Sequence, residues 1–392
     1  MTEQENHERT SRCDEPLRVL IAGGGVAGLE AVFALQELAG DRVSVTLLAA
    51  NDAYVYRPWS VGEPFTSSHA ERFSVAQLAA RAGAELVHDT LTEVDPDRRL
   101  ARTAGGTEIG YDALLVGVGA QPHGVFEHAT AVDDARMDEL LHGLVQDVEG
   151  GYVHRLAIVV PAPMPWPLPA YELALMASER AWDMQVDMDI TLLTPERSPL
   201  EIFGTAASRQ LSGMLASRRI EVVTSAYCEI PRSQLVIVHP GGRSVTAERI
   251  IALPQLHGPN LSGLPSDGGG FIPVDEHGQV RGLDRVWAAG DATDFPIKQG
   301  GVAAQLAVTA ARSIAALAGA PVVARPFAPV LEGVLMTGGT ERHLRYRPAS
   351  EAMAEESLFS EVARGSHLSK IVTRYLERQL PGTQLPVVRS SA

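Results

Sequence analysis

Six residues, Gly23-Gly24-Gly25-Val26-Ala27-Gly28, follow the apolar run Leu17–Ala22 and open the helical pattern Val26–Leu38. Glycines 23, 25 and 28 match GxGxxG. The first permits a tight turn, the second lets backbone approach a pyrophosphate, and the third lets the helix pack close on the strand. The phosphate then sits at the positive end of the helix dipole. Between a strand and a helix the motif reads as a dinucleotide cradle rather than a structural turn. Arg42–Leu48 (RVSVTLL) supplies a second strand. Strand, turn, helix and strand therefore fall within about 30 residues, the βαβ unit of a parallel sheet. The acidic residue expected about 20 positions further on is missing, because Ala49 stands there. Asn51, Asp52 or a backbone group is left to reach a ribose, and Asp52 reads equally well as a solvated turn residue.

A second βαβ pattern interrupts the first. Phe73–Ala82 reads as helix, Glu85–Leu91 as strand, Arg98–Ile109 as a hairpin turning at Gly105-Gly106, and Tyr111–Val118 as a buried strand. Then Arg155–Val160, Ala170–Trp182, Asp189–Leu193, Thr205–Arg218 and Ile220–Thr224 alternate strand and helix. A hairpin, Leu235–His239 with Ser244–Thr246, precedes two returning strands, Arg249–Leu253 and Val286–Ala289, and a long helix from Gly301. Pro326 and Pro329 lead into a last segment ending in a basic amphipathic helix, Ser366–Leu380. For 392 residues, two to three domains are expected. The pattern predicts an α/β protein with two Rossmann-like domains. The first is discontinuous, residues 15–123 and 248–325; the second, 152–247, is inserted. Residues 1–14 form a disordered tail and 326–392 a C-terminal segment.

Charge and cysteine content narrow the chemistry. Lys+Arg number 33 against 48 Asp+Glu, a net charge of −15. Nucleic acid needs a basic surface to replace counterions, so it is not an expected partner. Cys13 and Cys228 are the two cysteines and form no CxxC. That excludes a disulfide framework, a cysteine-rich zinc site and a redox-active CxxC, and no metal site is expected. Nothing in Met1–Glu15 resembles a secretory signal, and no apolar run reaches transmembrane length. The expected location is cytoplasmic, free or peripheral to a membrane.

Three blocks in order resemble the two-dinucleotide-binding-domain flavoproteins, the FAD-dependent pyridine nucleotide-disulfide oxidoreductase superfamily. They are the glycine turn, Gly117-Val118-Gly119-Ala120-Gln121-Pro122 (with Val118 where the family usually has Thr), and Val286-Trp287-Ala288-Ala289-Gly290-Asp291-Ala292-Thr293. Asn51-Asp52-Ala53-Tyr54-Val55-Tyr56-Arg57-Pro58 and Ile297-Lys298-Gln299-Gly300-Gly301 with Gln305 resemble the sulfide:quinone oxidoreductase and type II NADH dehydrogenase branch. The resemblance implies FAD as cofactor. It assigns the cofactor to Gly23, Gly25, Val26, Ala27 and Gly28; to Ala49, Asn51, Arg57 and Leu91; and to Gly119, Gly290, Asp291, Lys298, Gln299 and Gly300. It also implies that the helix start after Lys298 faces the flavin O2 side, where its dipole stabilises reduced flavin. Lys298 is the first catalytic candidate. Glu172 is the second, because it resembles the family's helix glutamate beside the flavin, where a carboxylate relays a proton. Their bland readings are a surface lysine and a helix-start residue favoured by the dipole.

The departures matter as much. No cysteine stands in residues 50–70, which rules out the family's disulfide route, and none stands immediately after Gly119, near Pro161–Ala170 or near Met336–His343, so the persulfide route is not expected either, and Cys228 reads as structural. The second βαβ unit replaces GxGxxG with Pro161-Ala162-Pro163-Met164-Pro165-Trp166-Pro167-Leu168-Pro169. Prolines offer no N–H to a phosphate and favour an extended shape, so this loop does not cradle a nicotinamide dinucleotide in the usual way. Tyr171, Trp166 and Met164 either line an apolar pocket or simply pack; His123 is a minor candidate to face the flavin. The expected function is an FAD-dependent oxidoreductase passing electrons between a small donor and an acceptor such as a quinone. The alternatives are an NAD(P)H dehydrogenase with a degenerate nicotinamide site and a flavin-binding scaffold without turnover. Expected partners are the donor and acceptor, with a homodimer left open. The C-terminal helix either touches a membrane surface or caps the flavin domain.

Overall fold

The computed structural model describes residues 15–349, 354–362 and 369–380. The chain opens with β1 (Leu17–Ala22), α1 (Val26–Ala39), β2 (Val43–Ala49), α2 (Val75–Arg81), β3 (Glu85–His88) and β4 (Ala113–Val116). It then leaves this sheet to build β5 (Thr130–Ala131), α3 (Met137–Glu149), β6 (Arg155–Val159), α4 (Leu168–Asp183), β7 (Asp189–Leu193), α5 (Gly204–Ser217), β8 (Ile220–Val223) and β9 (Arg249–Ala252). It returns with β10 (Val286–Ala288) and α6 (Gly300–Leu317). The strand orders are β10-β4-β1-β2-β3 and β5-β9-β6-β7-β8. Both sheets are parallel throughout. The fold class is thus the expected one: two Rossmann-like sheets, the second built between the fourth and fifth strands of the first.

Parallel strands covered on both faces read as continuous apolar runs, and Val19, Leu20, Ile21 and Ala22 of β1 are all buried. Helix α1 is apolar almost all round because it lies between this sheet and α6. Alanines 303, 307, 310 and 311 of α6 are buried; such small side chains let the two helices approach closely. Beyond α6, an antiparallel sheet of β11 (Leu331–Leu335), β12 (Arg342–Arg347) and β13 (Glu356–Glu361) precedes the last described stretch.

Four local expectations change. The strand over Arg249–Leu253, expected to return to the first unit, pairs instead with β6 in the second sheet. The helix over Phe73–Ala82 starts only at Val75. Glu71–Ser74 pairs as a strand with Ala53–Tyr56, and the Ser74 hydroxyl caps the helix by accepting from the Gln77 N–H at 3.3 Å. The hairpin over Arg98–Ile109 belongs to a three-stranded ribbon, Leu91–Asp95, Leu100–Thr103 and Glu108–Gly110. The basic helix over Ser366–Leu380 is not formed where the chain is described. Residues 366–368 lie outside the described residues, and within 369–380 one short 3₁₀ turn, Leu376–Gln379, appears. The cause is a long-range contact: the N–H groups of Arg374, Tyr375 and Leu376 donate to the Glu30 carboxylate instead of closing helical turns. Ile371, Tyr375 and Leu376 are buried in the main core. This stretch therefore packs onto the first unit, and among its described residues, 369–380, it forms no amphipathic helix. The tail, residues 1–14, lies outside the described residues.

Candidate cofactor and active site

The three motif glycines are held for different reasons. A Cβ on Gly23, whose φ is 122°, would lie 2.2 Å from the Gly117 carbonyl oxygen; one on Gly28 would lie 1.8 Å from that of Gly23. Both positions are closed by backbone. At Gly25 a Cβ would meet nothing within 4 Å, although the residue starts α1. Gly25 borders a cavity of about 910 Å³. A cradle closed on two sides and open at its middle glycine, at a helix N-terminus, fits a pyrophosphate.

That cavity gathers most of the residues singled out in the sequence. Gly23, Gly25, Val26 and Ala27 form one wall. Asn51, Arg57 and Leu91 form a second, and Gly119, Gly290 and Asp291 lie at the strand ends of the first sheet. Lys298, Gln299 and Gly300 border it at the start of α6, and Glu172 borders it from α4. Two residues stand back. Gly28 is packed against Gly23, and Ala49 is buried with its methyl turned toward Gly24. Ala50, Asn51 and Asp52 make the rim there. Asp52 also lies 3.4 Å from His88.

Charges in the walls are largely committed. Arg57 pairs with Asp134 at 3.1 Å, and both line the cavity. Burial pushes the Asp291 carboxyl up to about 6, with Lys298 opposing the shift. Burial likewise pushes the Lys298 amine down to about 8, against the pull of Asp291. Lys298 directs its Nζ to the Thr293 carbonyl and holds it 3.9 Å above the Phe271 ring. Gln299 caps α6, its Oε1 accepting from the Val302 N–H at 2.9 Å while its Nε2 donates to the Glu332 carbonyl at 3.2 Å.

Glu172 has a partner that sequence reasoning missed. Lys370 donates to its Oε1 at 2.6 Å, and the Met336 N–H donates to the same oxygen at 2.9 Å. The two side chains are 4% and 2% exposed, the Lys370 ammonium lies 5.3 Å from the Trp59 ring, and both residues line the cavity. Burial pushes the carboxyl up and the amine down, and each partner opposes the other's shift. Lys370 arrives on the C-terminal strap, residues 369–380. There the Tyr56 hydroxyl meets Ser369 Oγ at 2.7 Å and accepts from the Ile371 N–H at 3.1 Å. Ile371 lies so close to Gly300 that a Cβ there would come within 2.4 Å of it.

The second unit holds an acid just beyond β7 in internal hydrogen bonds. Glu196 follows β7, where a dinucleotide-binding unit would place its ribose acid. It accepts instead from the Tyr171 hydroxyl at 2.6 Å and from Thr194 Oγ1 at 2.9 Å. Burial pushes its carboxyl up to about 7. Tyr171 is thus a buried packing and hydrogen-bonding residue. Trp166 lines the cavity and meets Phe203 edge-on at 5.8 Å. Met164 packs against the core and does not border the cavity. Neither does His123, which is exposed and stands edge-on to His257 at 5.5 Å. Cys228 is half-buried in a ribbon strand of the second unit, its thiol pushed up to about 11 by burial. Among the described residues no group of three or more His, Cys, Asp or Glu is placed to hold a metal ion.

No protein-family model matches the sequence. A curated relative, Oxidoreductase ptaL of Pestalotiopsis fici, is 24% identical over 301 residues, covering 72% of this chain and 78% of its own. Among solved structures, the sulfide:quinone oxidoreductase of Aquifex aeolicus superposes with a TM-score of 0.76 at 18% identity, covering 88% of this chain and 87% of its own. A ferredoxin reductase of Rhodopseudomonas palustris superposes with a TM-score of 0.62 at 16% identity, covering 84% and 82%.

Proposed function

The chain has the fold of the FAD-dependent pyridine nucleotide-disulfide oxidoreductase superfamily, and from that premise we propose that it is an FAD-dependent oxidoreductase. It passes electrons through the flavin between a small donor and an acceptor such as a quinone. The observation that carries this reading is one cavity joining the open Gly25 cradle, the start of α6 and the buried Glu172–Lys370 pair. When bound, FAD supplies reversible uptake of a hydride or of single electrons. The protein supplies the rest. The N-terminus of α1 takes the pyrophosphate charge. The N-terminus of α6, capped by Gln299, presents positive potential to the cavity. Glu172 holds or moves a proton at its carboxyl oxygens, with Lys370 balancing its charge.

The donor is not expected to be NAD(P)H bound in the usual pose. The proline loop lacks the motif glycines and most of the N–H donors that a phosphate needs, and Glu196 Oε2 already accepts from Tyr171 and Thr194. Trp166, Leu168 and Val61 add apolar lining to the cavity, as is usual for a small-molecule site. The test is anaerobic stopped-flow of the purified yellow protein with reduced quinone, sulfide, NADH and NADPH. Reduction by a quinol, or reoxidation by a quinone, supports the reading. Rapid saturable reduction by NADH or NADPH replaces it, and no reduction by any donor favours the scaffold.

A further inference from the structure

Glu30 is the other buried acid of this region, and it does not border the cavity. It lies on α1 just past the glycine turn and has no exposed surface. Burying a carboxylate there is costly unless its oxygens are hydrogen-bonded. Among the described residues its donors come from the strap: the N–H groups of Arg374 at 2.7 Å, Tyr375 at 3.1 and 3.2 Å, and Leu376 at 2.7 Å. Three successive backbone donors around one anion form a nest. Four residues upstream, Lys370 meets Glu172. Between the two contacts, Ile371 is pressed against Gly300 and held by Tyr56. The strap is therefore pinned at one end by Glu30 and delivers its lysine at the other.

We infer that Glu30 is a positioning residue of the flavin site, acting through residues 370–376 to seat Lys370 on Glu172. The inference rests on the flavin reading of the cavity. The helix that offers its N-terminus to the cofactor thereby also holds the cation that balances Glu172. The charged groups around this linkage are few. Glu172 faces Lys370; Lys370 faces Glu172 and, farther off, Glu341; Arg378 acts on Glu30. Asp291, Lys298, Asp134 and Arg57 share the cavity.

The test follows the absorbance spectrum of bound FAD in the full-length protein across pH. Glu172→Gln identifies the transition that belongs to Glu172 by removing it. Losing an opposite charge at contact distance raises a carboxyl by about 1–3 units. Lys370→Met and Glu30→Gln should each move the transition upward by at least about one unit, and the double variant should move it no further. A wild-type transition in Glu30→Gln, with a shifted one in Lys370→Met, overturns the inference and leaves the flavin reading intact. So does a spectrum that Glu172→Gln leaves unchanged at every pH. A wild-type protein that binds no FAD overturns the flavin reading itself, and the inference with it. Should Glu30→Gln fail to fold, Tyr56→Phe removes the strap's second anchor. It must shift the transition in the same direction, and an unshifted transition overturns the inference.

Discussion

Replacing Lys370 with methionine removes a charge and little volume, and leaves Glu172 buried with the Met336 N–H as its remaining donor. The carboxyl escapes by taking a proton. From its ordinary value of 4.5 to pH 7 is 2.5 units, at about 1.36 kcal/mol each, so the cost is capped near 3.4 kcal/mol. That lies within the roughly 3–5 kcal/mol found when one partner of a buried pair is removed. The sign of the pH dependence follows. A carboxyl whose folded pKa is raised is not penalised below its unfolded value and loses stability as pH rises above it. The variant should therefore lose almost nothing at pH 4.5, about 0.7 kcal/mol at pH 5 and up to about 3.4 kcal/mol at pH 7. Glu172→Gln is the mirror case. It leaves a buried amine whose ordinary value is 10.5. The penalty, up to about 4.8 kcal/mol at pH 7, shrinks as pH rises toward that value. Removing both charges should cost less than removing either. Urea midpoints at pH 5, 7 and 9 in a constant excess of FAD decide the matter. Equal losses at pH 5 and pH 7 for Lys370→Met, or a double variant worse than both singles, would refute the reasoning.

Gly25→Val should fold normally, since a Cβ there meets nothing within 4 Å, yet purify colourless because the side chain enters the pyrophosphate space; far-UV circular dichroism with flavin absorbance reads both, and full FAD occupancy contradicts the cradle. NADH and NADPH should show no micromolar dissociation constant by calorimetry: two lost charge-assisted phosphate bonds, at about 1.5–3 kcal/mol each, weaken binding roughly 150-fold or more. Sulfide should bleach the flavin no faster than a sulfide-free control. Cys13→Ser and Cys228→Ser should behave as wild type, Cys228 being a half-buried thiol with its pKa pushed up to about 11; sulfide-dependent bleaching that vanishes in Cys228→Ser would reverse this.

What was readable in the sequence was what local spacing controls. The glycine turn needs a strand before it and a helix after it, and both lie within a few residues, so β1, α1 and β2 follow from one window. The interruption of one sheet by another was readable because parallel buried strands announce themselves as runs such as Leu17–Ala22 and Arg155–Val160. Helix boundaries set by side-chain caps were less so: Ser74 stops a strand and starts α2 within one residue. The strap departs from its spacing. Leu368, Ile371, Val372, Tyr375 and Leu376 have helical spacing, but that spacing says only which side chains want burial. It does not say where the backbone N–H groups will go, and a carboxylate more than 340 residues away takes three of them.

Lys370 and Glu172 illustrate the same limit at the site. Each is ordinary in its own window, a basic residue among apolar neighbours and an acid near the start of a helix. Their chemistry exists only in combination, across 198 residues of chain. An isolated buried ammonium or carboxylate would be neutralised by its surroundings. Joined, they keep a buried ion pair on the cavity wall, with burial and mutual attraction acting in opposite directions on each. A lysine at position 370 is thus intelligible only once the strap is docked, and the strap is docked by an acid on the helix that also closes the cofactor cradle. Substitutions at Glu30 should consequently be felt at Glu172 although no bond joins them, whereas Lys298, whose amine is held by the Thr293 carbonyl and the Phe271 ring, should be insensitive to the strap.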